Sequence, residues 1–454
     1  MKIITYLFFM LLFSSCLSGC KKGFLDEKPQ KSLLVPATTA DFRAMLDNTL
    51  IFNTTPGLPF TADGDFYTTD AGWNEYYLLQ ERTSYTWAAD IFGSETSGEW
   101  NKPYRQIFYS NIVLEGAAKL PEDAEQKEVR GTALFYRAFA FYNLAQQFAP
   151  PYRAATAEVT PGIPLRTSAD VTQKAGRGTL KQTYAQVLDD LRRSKGLLPA
   201  AGNYKTRPVI AAVYGLLARV CLSMEDYVLA GQYADSCLQL RPGLIDYNTL
   251  STTAVRPFPR ASPNGNNEVI FYALALDYTF GDSSSPTYVT PALYNSYAAN
   301  DLRKAIFFRQ ITPGNYRFKG NYSGILSYFT GLATDEQYLI RAECRARAGN
   351  TAAALGDLNA LLVKRWKAGT FMPFTAATAE EALALILTER RKELTWRGTR
   401  WTDLRRLNGD PRFAVTLSRQ LKGQAYQLEP QSKRYTYPIP PDELQLNPMP
   451  QNER

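Results

Sequence analysis

The sequence predicts an all-α fold in which paired helices form a scaffold for long, aromatic-rich loops, with little β-structure. Apolar residues recur at spacings of three and four through most of the chain, which is the period of an amphipathic helix. Two pairs of such segments, 207–221 with 226–240 and 335–348 with 351–367, are joined by short turns. The two pairs have a similar sequence pattern of Ala, Leu, Arg and an aromatic residue. Stacked helix pairs therefore account for the pattern.

The same periodicity predicts further helices, at 38–48, 100–120, 125–148, 179–198 and 380–397. In the last of these, Glu393 and Arg397 are four residues apart, so they are predicted to pair along the helix. A short strand is predicted at 267–276, where Val, Ile and Phe are frequent. Helix pairs of about 34 residues, with small residues where the two helices cross, resemble tetratricopeptide repeats. Such repeats bury their apolar faces by stacking on one another.

Two stretches lack helical periodicity and combine aromatic with polar residues, at 60–87 and 251–330. Aromatic faces stack on flat apolar faces such as sugar rings, and nearby Asp or Asn side chains bind hydroxyl groups. Loops on a rigid scaffold commonly carry such sites. The alternative is that these rings pack the loops onto the scaffold. The predicted ligand-binding residues are Asp63, Tyr67, Trp73, Asn74, Tyr77, Tyr278 and Tyr288.

Composition excludes several classes of function. The chain has no histidine, which removes histidine-based nucleophilic catalysis and nearly all catalytic zinc sites. The net charge of +8 is spread along the chain rather than concentrated, which argues against nucleic-acid binding. No phosphate-binding loop, cofactor motif or metal-ligand set stands out. A hydrolase that uses two carboxylates remains chemically possible, but no pair is singled out among 43 acidic residues.

The N-terminus has the pattern of a secretory signal. Lys2 precedes an apolar run at 3–13, which is about 10 residues where spanning a bilayer takes about 20. The run closes on Leu17-Ser18-Gly19-Cys20, which looks like a bacterial lipobox. We therefore predict a signal peptide at 1–19, acylation of Cys20 and a polar tether at 20–30. The alternatives are acylation of Cys16, or a secreted protein without a lipid.

Three cysteines follow the predicted lipid site, namely Cys221, Cys237 and Cys344. An odd number cannot form a complete disulfide framework. Each lies in an apolar helical pattern, so each is expected to be a buried thiol. A bridge between Cys221 and Cys237 remains open as an alternative.

The C-terminal third carries the most distinctive motifs. Glu389-Arg390-Arg391-Lys392-Glu393-Leu394 precedes Gly398, Arg400-Trp401 and Asp403-Leu404-Arg405-Arg406. The chain then closes with Tyr437-Pro438-Ile439-Pro440, Asn447-Pro448 and Gln451-Asn452. Together with the lipobox and the helix that begins near Ala133, these motifs resemble the SusD/RagB family over essentially the whole mature chain. The resemblance fixes no ligand-binding residue by motif.

The resemblance implies an α-helical lipoprotein of the outer membrane that faces the cell surface and partners a SusC-like TonB-dependent transporter. It also implies that Trp396, Trp401 and Arg405 are structural. One departure is that Lys21 and Lys22 follow the lipid site, where acidic residues are linked to surface export. We expect one SusD-like fold over 31–454, with sequence modules at about 31–240 and 241–454.

The resulting prediction is a non-enzymatic protein that captures a nutrient, most simply an oligosaccharide, and delivers it to the transporter. A peptide-binding member of the same family is the first alternative. A carboxylate-based glycan hydrolase and a purely structural scaffold are the others.

Overall fold

The helices follow one another along most of the chain. The computed structural model describes residues 36–263, 265–282 and 284–454, so Cys20, the signal segment and the tether lie outside the described residues. The helices are α1 (Thr39–Leu46), α2 (Thr49–Phe52), α3 (Pro59–Ala62), α4 (Asp70–Glu75), α5 (Leu79–Tyr85), α6 (Gly98–Ala117), α7 (Ala124–Phe148), α8 (Leu180–Lys195), α9 (Ile210–Ser223), α10 (Tyr227–Leu240), α11 (Pro291–Asn295), α12 (Leu302–Phe307), α13 (Thr334–Arg347), α14 (Thr351–Leu362), α15 (Ala379–Glu393), α16 (Arg400–Leu407) and α17 (Pro441–Leu446).

The long helices form one continuous stack. From α6 to α10, each helix packs on the next in the chain, α10 packs on α13, and α13 packs on both α14 and α15. The two predicted helix pairs are therefore present as α9–α10 and α13–α14, in direct contact through α10 and α13. Side-chain caps set several boundaries, since Asp123 accepts from the Gln126 amide at the start of α7 and Asp226 accepts from the Leu229 amide at the start of α10. The all-α prediction is confirmed.

Strands are short and occur in two-stranded sheets throughout the described residues. Of the six pairs in the described residues, the first is parallel and the other five are antiparallel. The pairs are β1 (Thr54–Thr55) with β6 (Leu274–Ala275), β2 (Phe66–Thr68) with β7 (Thr287–Val289), β3 (Pro161–Pro164) with β4 (Arg177–Thr179), β5 (Val269–Phe271) with β10 (Leu332–Ala333), β8 (Phe308–Thr312) with β9 (Asn315–Phe318), and β11 (Leu417–Leu421) with β12 (Gln424–Leu428).

Two local predictions need correction. The predicted strand at 267–276 is two strands, β5 and β6, which pair with different partners. The stretch 60–87, expected to be irregular, contains α3, β2, α4 and α5. These elements are three to seven residues long, which is too short for an amphipathic period to show in the sequence.

The charged signature in α15 forms a buried network of ion pairs. Glu393 accepts from Arg303 and Arg365, and Glu389 accepts from Arg303 and Lys392. The predicted pair between Glu393 and Arg397 is wrong. Helix α15 ends at Glu393, so Arg397 lies beyond it and pairs with Asp335 at 3.1 Å.

Two other signature residues join separate parts of the chain. Arg405 donates to the carbonyl oxygens of Ala145 and Ala149, at the C-terminal end of α7. The ring of Trp401 lies 4.9 Å from that of Tyr435. Both side chains are buried. They therefore hold the C-terminal segment against the long helix α7.

The three cysteines are unpaired buried thiols, so the bridge between Cys221 and Cys237 is not formed. Burial raises the pKa of each thiol to about 12. Cys237 Sγ donates to the carbonyl oxygen of Ala211 in the neighbouring helix. In the described part of the chain, no helix combines the length and the apolar character needed to cross a membrane.

Candidate functional site

An aromatic cavity of about 320 Å³ opens between the segments 275–282 and 326–328. We call it the aromatic cavity. Rings supply much of its wall, and carboxylate and hydroxyl groups supply the rest. The rings are Phe60, Tyr278, Phe280, Tyr328 and Trp396, and the polar groups are Asp277, Asp282, Ser284 and Ser327. This combination suits a ligand that has both apolar faces and hydroxyl groups.

Trp396 forms the centre of the wall. Its ring stacks on Tyr328 at 4.8 Å and on Phe280 at 5.3 Å between centroids, each at an interplanar angle of 27°. The residue has a φ of +57°, which turns the chain directly after α15 and directs it toward the Arg397–Asp335 pair. Its indole Nε1 donates to no atom of the described residues. Trp396 is 5% exposed and its Nε1 is buried, so the ring forms part of the packed floor of the cavity and is not a free donor at its surface.

The tyrosines of the cavity are fixed by their hydroxyl groups. Tyr278 donates to Glu99 Oε1 at 2.9 Å, and burial raises the pKa of Tyr278 well above its ordinary value. Glu99 also accepts from the Gly57 and Leu58 amides, and burial raises its pKa too. Tyr328 donates to the carbonyl oxygen of Gly281. Both rings therefore contribute faces to the cavity, not free hydroxyl groups.

The rim of the cavity is exposed and polar. The Asp277 side chain accepts from the Ser327 hydroxyl at 3.2 Å and is open to solvent, as is Asp282. Tyr77 is 83% exposed, and its backbone amide lies 3.4 Å from the Thr279 hydroxyl oxygen. Tyr77 thus stands beside the segment that carries Tyr278. Its ring is largely exposed to solvent next to the cavity.

Of the residues predicted from sequence, Tyr278 lines the cavity and Tyr77 adjoins it. Tyr67 and Tyr288 are paired across β2 and β7, with ring centroids 5.7 Å apart, and do not line it. The Tyr67 hydroxyl donates to Asn315 Oδ1 at 2.6 Å, and burial raises the pKa of Tyr67. The Arg317 guanidinium lies 5.4 Å from the centre of the Tyr288 ring. These two tyrosines pack the loops together.

Three other predicted residues also lie away from the cavity. Trp73 in α4 is half-buried, donates to the Arg82 carbonyl at 3.1 Å and has Lys422 over its ring. Asn74 is exposed on the same helix. Asp63 is 4% exposed, so its carboxyl group is an interior group and not a surface contact for a ligand.

Sequence reasoning did not select Trp396, Tyr328, Phe280, Asp277 or Asp282 as ligand-binding residues. Trp396 was interpreted as purely structural, whereas its ring both packs on its neighbours and faces the cavity. One signal was present in the sequence, because two aspartates flank the run Tyr278-Thr-Phe-Gly. In the described residues, no group of three or more Cys, Asp or Glu side chains is arranged to hold a metal ion.

Comparisons with known proteins agree with this architecture. A family model described as starch-binding and associating with the outer membrane matches residues 23–222, and the SusD family model matches residues 334–453. No curated protein matches the sequence.

Solved structures share the fold along nearly the whole chain. A SusD superfamily protein from Bacteroides vulgatus has a TM-score of 0.75 at 19% identity, covering 92% of this chain and 99% of its own. A SusD-like carbohydrate-binding protein from the same organism has a TM-score of 0.70 at 20% identity, covering 91% and 97%. A SusD superfamily protein from Bacteroides thetaiotaomicron has a TM-score of 0.70 at 21% identity, covering 92% and 100%. The two family models together span more than half of the chain, and this chain belongs to the SusD/RagB family.

Proposed function

We propose that this protein captures an oligosaccharide in the aromatic cavity and delivers it to a SusC-like TonB-dependent transporter of the outer membrane. A lipid on Cys20 would hold it there, facing the cell surface. The observation that carries the proposal is the stacked set of Trp396, Phe280 and Tyr328 beneath the rim carboxylates of Asp277 and Asp282. The shared fold with a SusD-like carbohydrate-binding protein supports it.

The chemistry of the wall matches a sugar. Sugar rings present C–H faces that pack against aromatic rings, and their hydroxyl groups donate to carboxylates. Asp277, Asp282 and Ser284 are exposed acceptors at the rim. A volume of about 320 Å³ lies at the lower end of typical ligand sites, which are about 300–1,000 Å³. We infer that the cavity holds the end of a glycan whose remainder crosses the rim near Tyr77.

The first experiment is binding of the soluble fragment 21–454 to an array of oligosaccharides and peptides. The proposal expects saturable binding of at least one glycan, with no change in the glycan on prolonged incubation. If only peptides bind, the ligand of the cavity is a peptide and not a glycan. Turnover of a bound glycan by the pure protein would favour the hydrolase alternative.

Tyr77 offers the cleanest residue test, because its ring is exposed and stabilises no part of the core. Tyr77→Ala is expected to weaken glycan binding by about 1–3 kcal/mol, a scale borrowed from stacking of bases on aromatic rings. The melting temperature should stay unchanged. The matched control is Tyr204→Ala, since Tyr204 is 49% exposed and does not line the cavity. If calorimetry gives equal glycan affinities for the two variants, Tyr77 does not contribute to glycan binding.

A further inference from the structure

A second cavity, larger than the first, lies on the C-terminal segment and shares no lining residue with the aromatic cavity. Its volume is about 570 Å³. Four prolines form much of the apolar part of its wall, and the polar part combines basic and amide side chains, hydroxyl groups and the carboxylate of Glu453. We call it the basic cavity, defined by Arg153, Arg177, Arg405, Asn408, Lys433 and Tyr435.

Two arginines that line this cavity each have a buried guanidinium nitrogen without a hydrogen-bond partner among the described residues. Arg405 is 3% exposed, and although its two terminal nitrogens contact the end of α7, its Nε has no hydrogen-bond acceptor among the described residues. Arg177 donates to the carbonyls of Gly162 and Pro450, which leaves Nη2 without an acceptor in the same part of the chain. Asn408 and Tyr435 also line the cavity, where their side chains interact with each other. Buried donors are normally hydrogen-bonded, so each of the two arginine nitrogens needs an explanation.

Two positive charges of the cavity wall, those of Arg405 and Arg177, also lack a counter-charge. Most buried arginines of the described residues pair with a carboxylate, as Arg137 does with Asp190 and Arg219 with Glu336. Arg405 and Arg177 form no such pair in the part of the chain that the structure describes. Burial lowers the pKa of both guanidinium groups, and that of Arg405 falls to about 10. The carbonyl oxygens at the end of α7 offset part of the Arg405 charge.

The other charged groups of the wall are already paired. Arg153 pairs with Glu225 and donates to the backbone carbonyls of Arg405 and Arg406. Lys433 pairs with Glu453, and both of those side chains are exposed. The charge left uncompensated is therefore the one on Arg405 and Arg177.

We propose that the basic cavity is a second ligand site, which binds the oxyanion of a small acidic molecule through Arg405 and Arg177. The oxyanion is a carboxylate or a phosphate or sulfate group, since these accept charge-assisted hydrogen bonds from guanidinium nitrogens. Asn408 and Tyr435 supply two further neutral partners. The proline wall holds the uncharged part of the ligand.

The test is calorimetric titration of the fragment 21–454 with inorganic sulfate, inorganic phosphate and glucuronate, with glucose as the neutral control. Saturable binding of at least one oxyanion, weakened by added sodium chloride, is expected. A bound anion should also raise the melting temperature with its concentration. Tighter binding of glucuronate than of phosphate would identify an acidic saccharide as the ligand class. The reverse order would identify a phosphate group.

Variants of the lining residues test whether the anion binds in this cavity. Arg177→Gln should weaken the anion by about tenfold or more, because a hydrogen bond to a charged group is lost. Tyr435→Phe removes a neutral hydroxyl from the wall and should weaken anion binding less than Arg177→Gln does. The control is Arg193→Gln, which removes the same charge from an exposed ion pair in α8.

Two outcomes would overturn the proposal: no saturable binding of any oxyanion at millimolar concentration, or equal affinity in Arg177→Gln and Arg193→Gln. Binding of a neutral oligosaccharide in the aromatic cavity should be the same in all three variants. Failure of this proposal is therefore distinguishable from failure of the glycan proposal.

Discussion

Arg303 and Arg365 place two fully buried positive charges in the middle of the fold, and both contact Glu393. Arg303 Nη1 donates to Glu393 Oε2 at 3.1 Å, and Arg365 Nε donates to Oε1 at 2.7 Å. A buried ion pair is a weak net contribution to stability, but removal of one partner leaves an uncompensated charge. The run of charges in the signature therefore makes the fold intolerant of single substitutions, rather than simply more stable.

Glu393→Gln is expected to lower the free energy of unfolding by about 1–3 kcal/mol, because two buried guanidinium groups each lose one charged hydrogen-bond partner. The loss stays below that of a fully unpaired charge, since Arg303 keeps Glu389 and Arg365 keeps Glu268. Glu380→Gln in the same helix is the matched control, since its carboxylate is 77% exposed and pairs with the exposed Arg412. That variant should lose less than about 1 kcal/mol. Urea unfolding of the two variants measures the contrast, and similar losses would contradict this account of the signature.

Asp63 is a buried carboxyl group whose pKa is raised to about 8, first by burial and then by the neighbouring Asp65 carboxylate. In the unfolded chain its pKa is near the ordinary 3.8. The folded state therefore binds the proton more tightly. Its contribution to stability is complete below pH 3.8 and is lost as pH rises toward 8.

We expect Asp63→Asn to flatten the dependence of unfolding free energy on pH between pH 5 and pH 8, and to gain stability relative to the parent protein as pH rises. The amide cannot ionise and keeps an acceptor for the Asp65 amide, which now contacts Oδ1 at 3.0 Å. Chemical denaturation at several pH values gives the slope. Asp170→Asn, at an exposed site, is the control. Parallel curves for the parent and Asp63→Asn would show that Asp63 is already ionised.

At the scale of elements, the sequence predicts the long helices well because each repeats its apolar spacing several times. Helix α7 spans Ala124–Phe148, against a prediction of 125–148. Short elements cannot be predicted from repeated apolar spacing, because they contain too few residues to show it. For example, α4 has six residues and β2 has three. Their positions depend on partners elsewhere, as β2 does on β7. The predicted end of a helix was also wrong where the chain turns sharply, as it does after Glu393.

Gly331 shows how closely two elements approach. A Cβ at this position would lie 1.9 Å from the backbone oxygen of Phe271 in β5, so a side chain would force β10 away from β5. Gly331→Ala is expected to destabilise the protein by about 1–3 kcal/mol.

The same substitution at Gly356, in the exposed part of α14, meets no atom within 4 Å. Gly356→Ala should stabilise the protein by about 0.5–1 kcal/mol, because alanine loses less backbone entropy in a helix. Urea unfolding should therefore give opposite signs for the two variants. The same sign in both would contradict the close approach at Gly331.

For the whole molecule, the candidate site joins segments that are distant in sequence. Gly57, Tyr278, Tyr328 and Trp396 meet in one cavity, although 339 positions separate the first from the last. Composition indicated that the aromatic loops could carry a binding site, and Tyr278, predicted to bind ligand, is one of the residues that line the cavity. Which ring faces the cavity depends on tertiary contacts such as the Tyr278–Glu99 hydrogen bond, and no local pattern encodes those contacts.

The proposed attachment to the membrane is also a property of the whole molecule. Cys20→Ala is expected to move the protein from the membrane fraction to the soluble fraction and to abolish labelling by a radioactive fatty acid. Loss of about 0.8 kcal/mol per buried CH₂ explains the release. Cys16→Ala is the control and should remain membrane-bound and labelled. A Cys20→Ala protein that stays in the membrane without label would contradict the lipid anchor.

The φ of +57° at Trp396 has a consequence for the thermodynamics of capture. The ring is stacked between Phe280 and Tyr328, whose own positions are fixed by the backbone and by the Gly281 carbonyl. The floor of the cavity is thus preorganised, and little rotamer entropy is lost there when a ligand enters. The ordering penalty falls instead on the exposed rim, at Tyr77 and Leu326. If the cavity binds glycans as proposed, substitutions at the rim are expected to change selectivity among them while the floor stays the same.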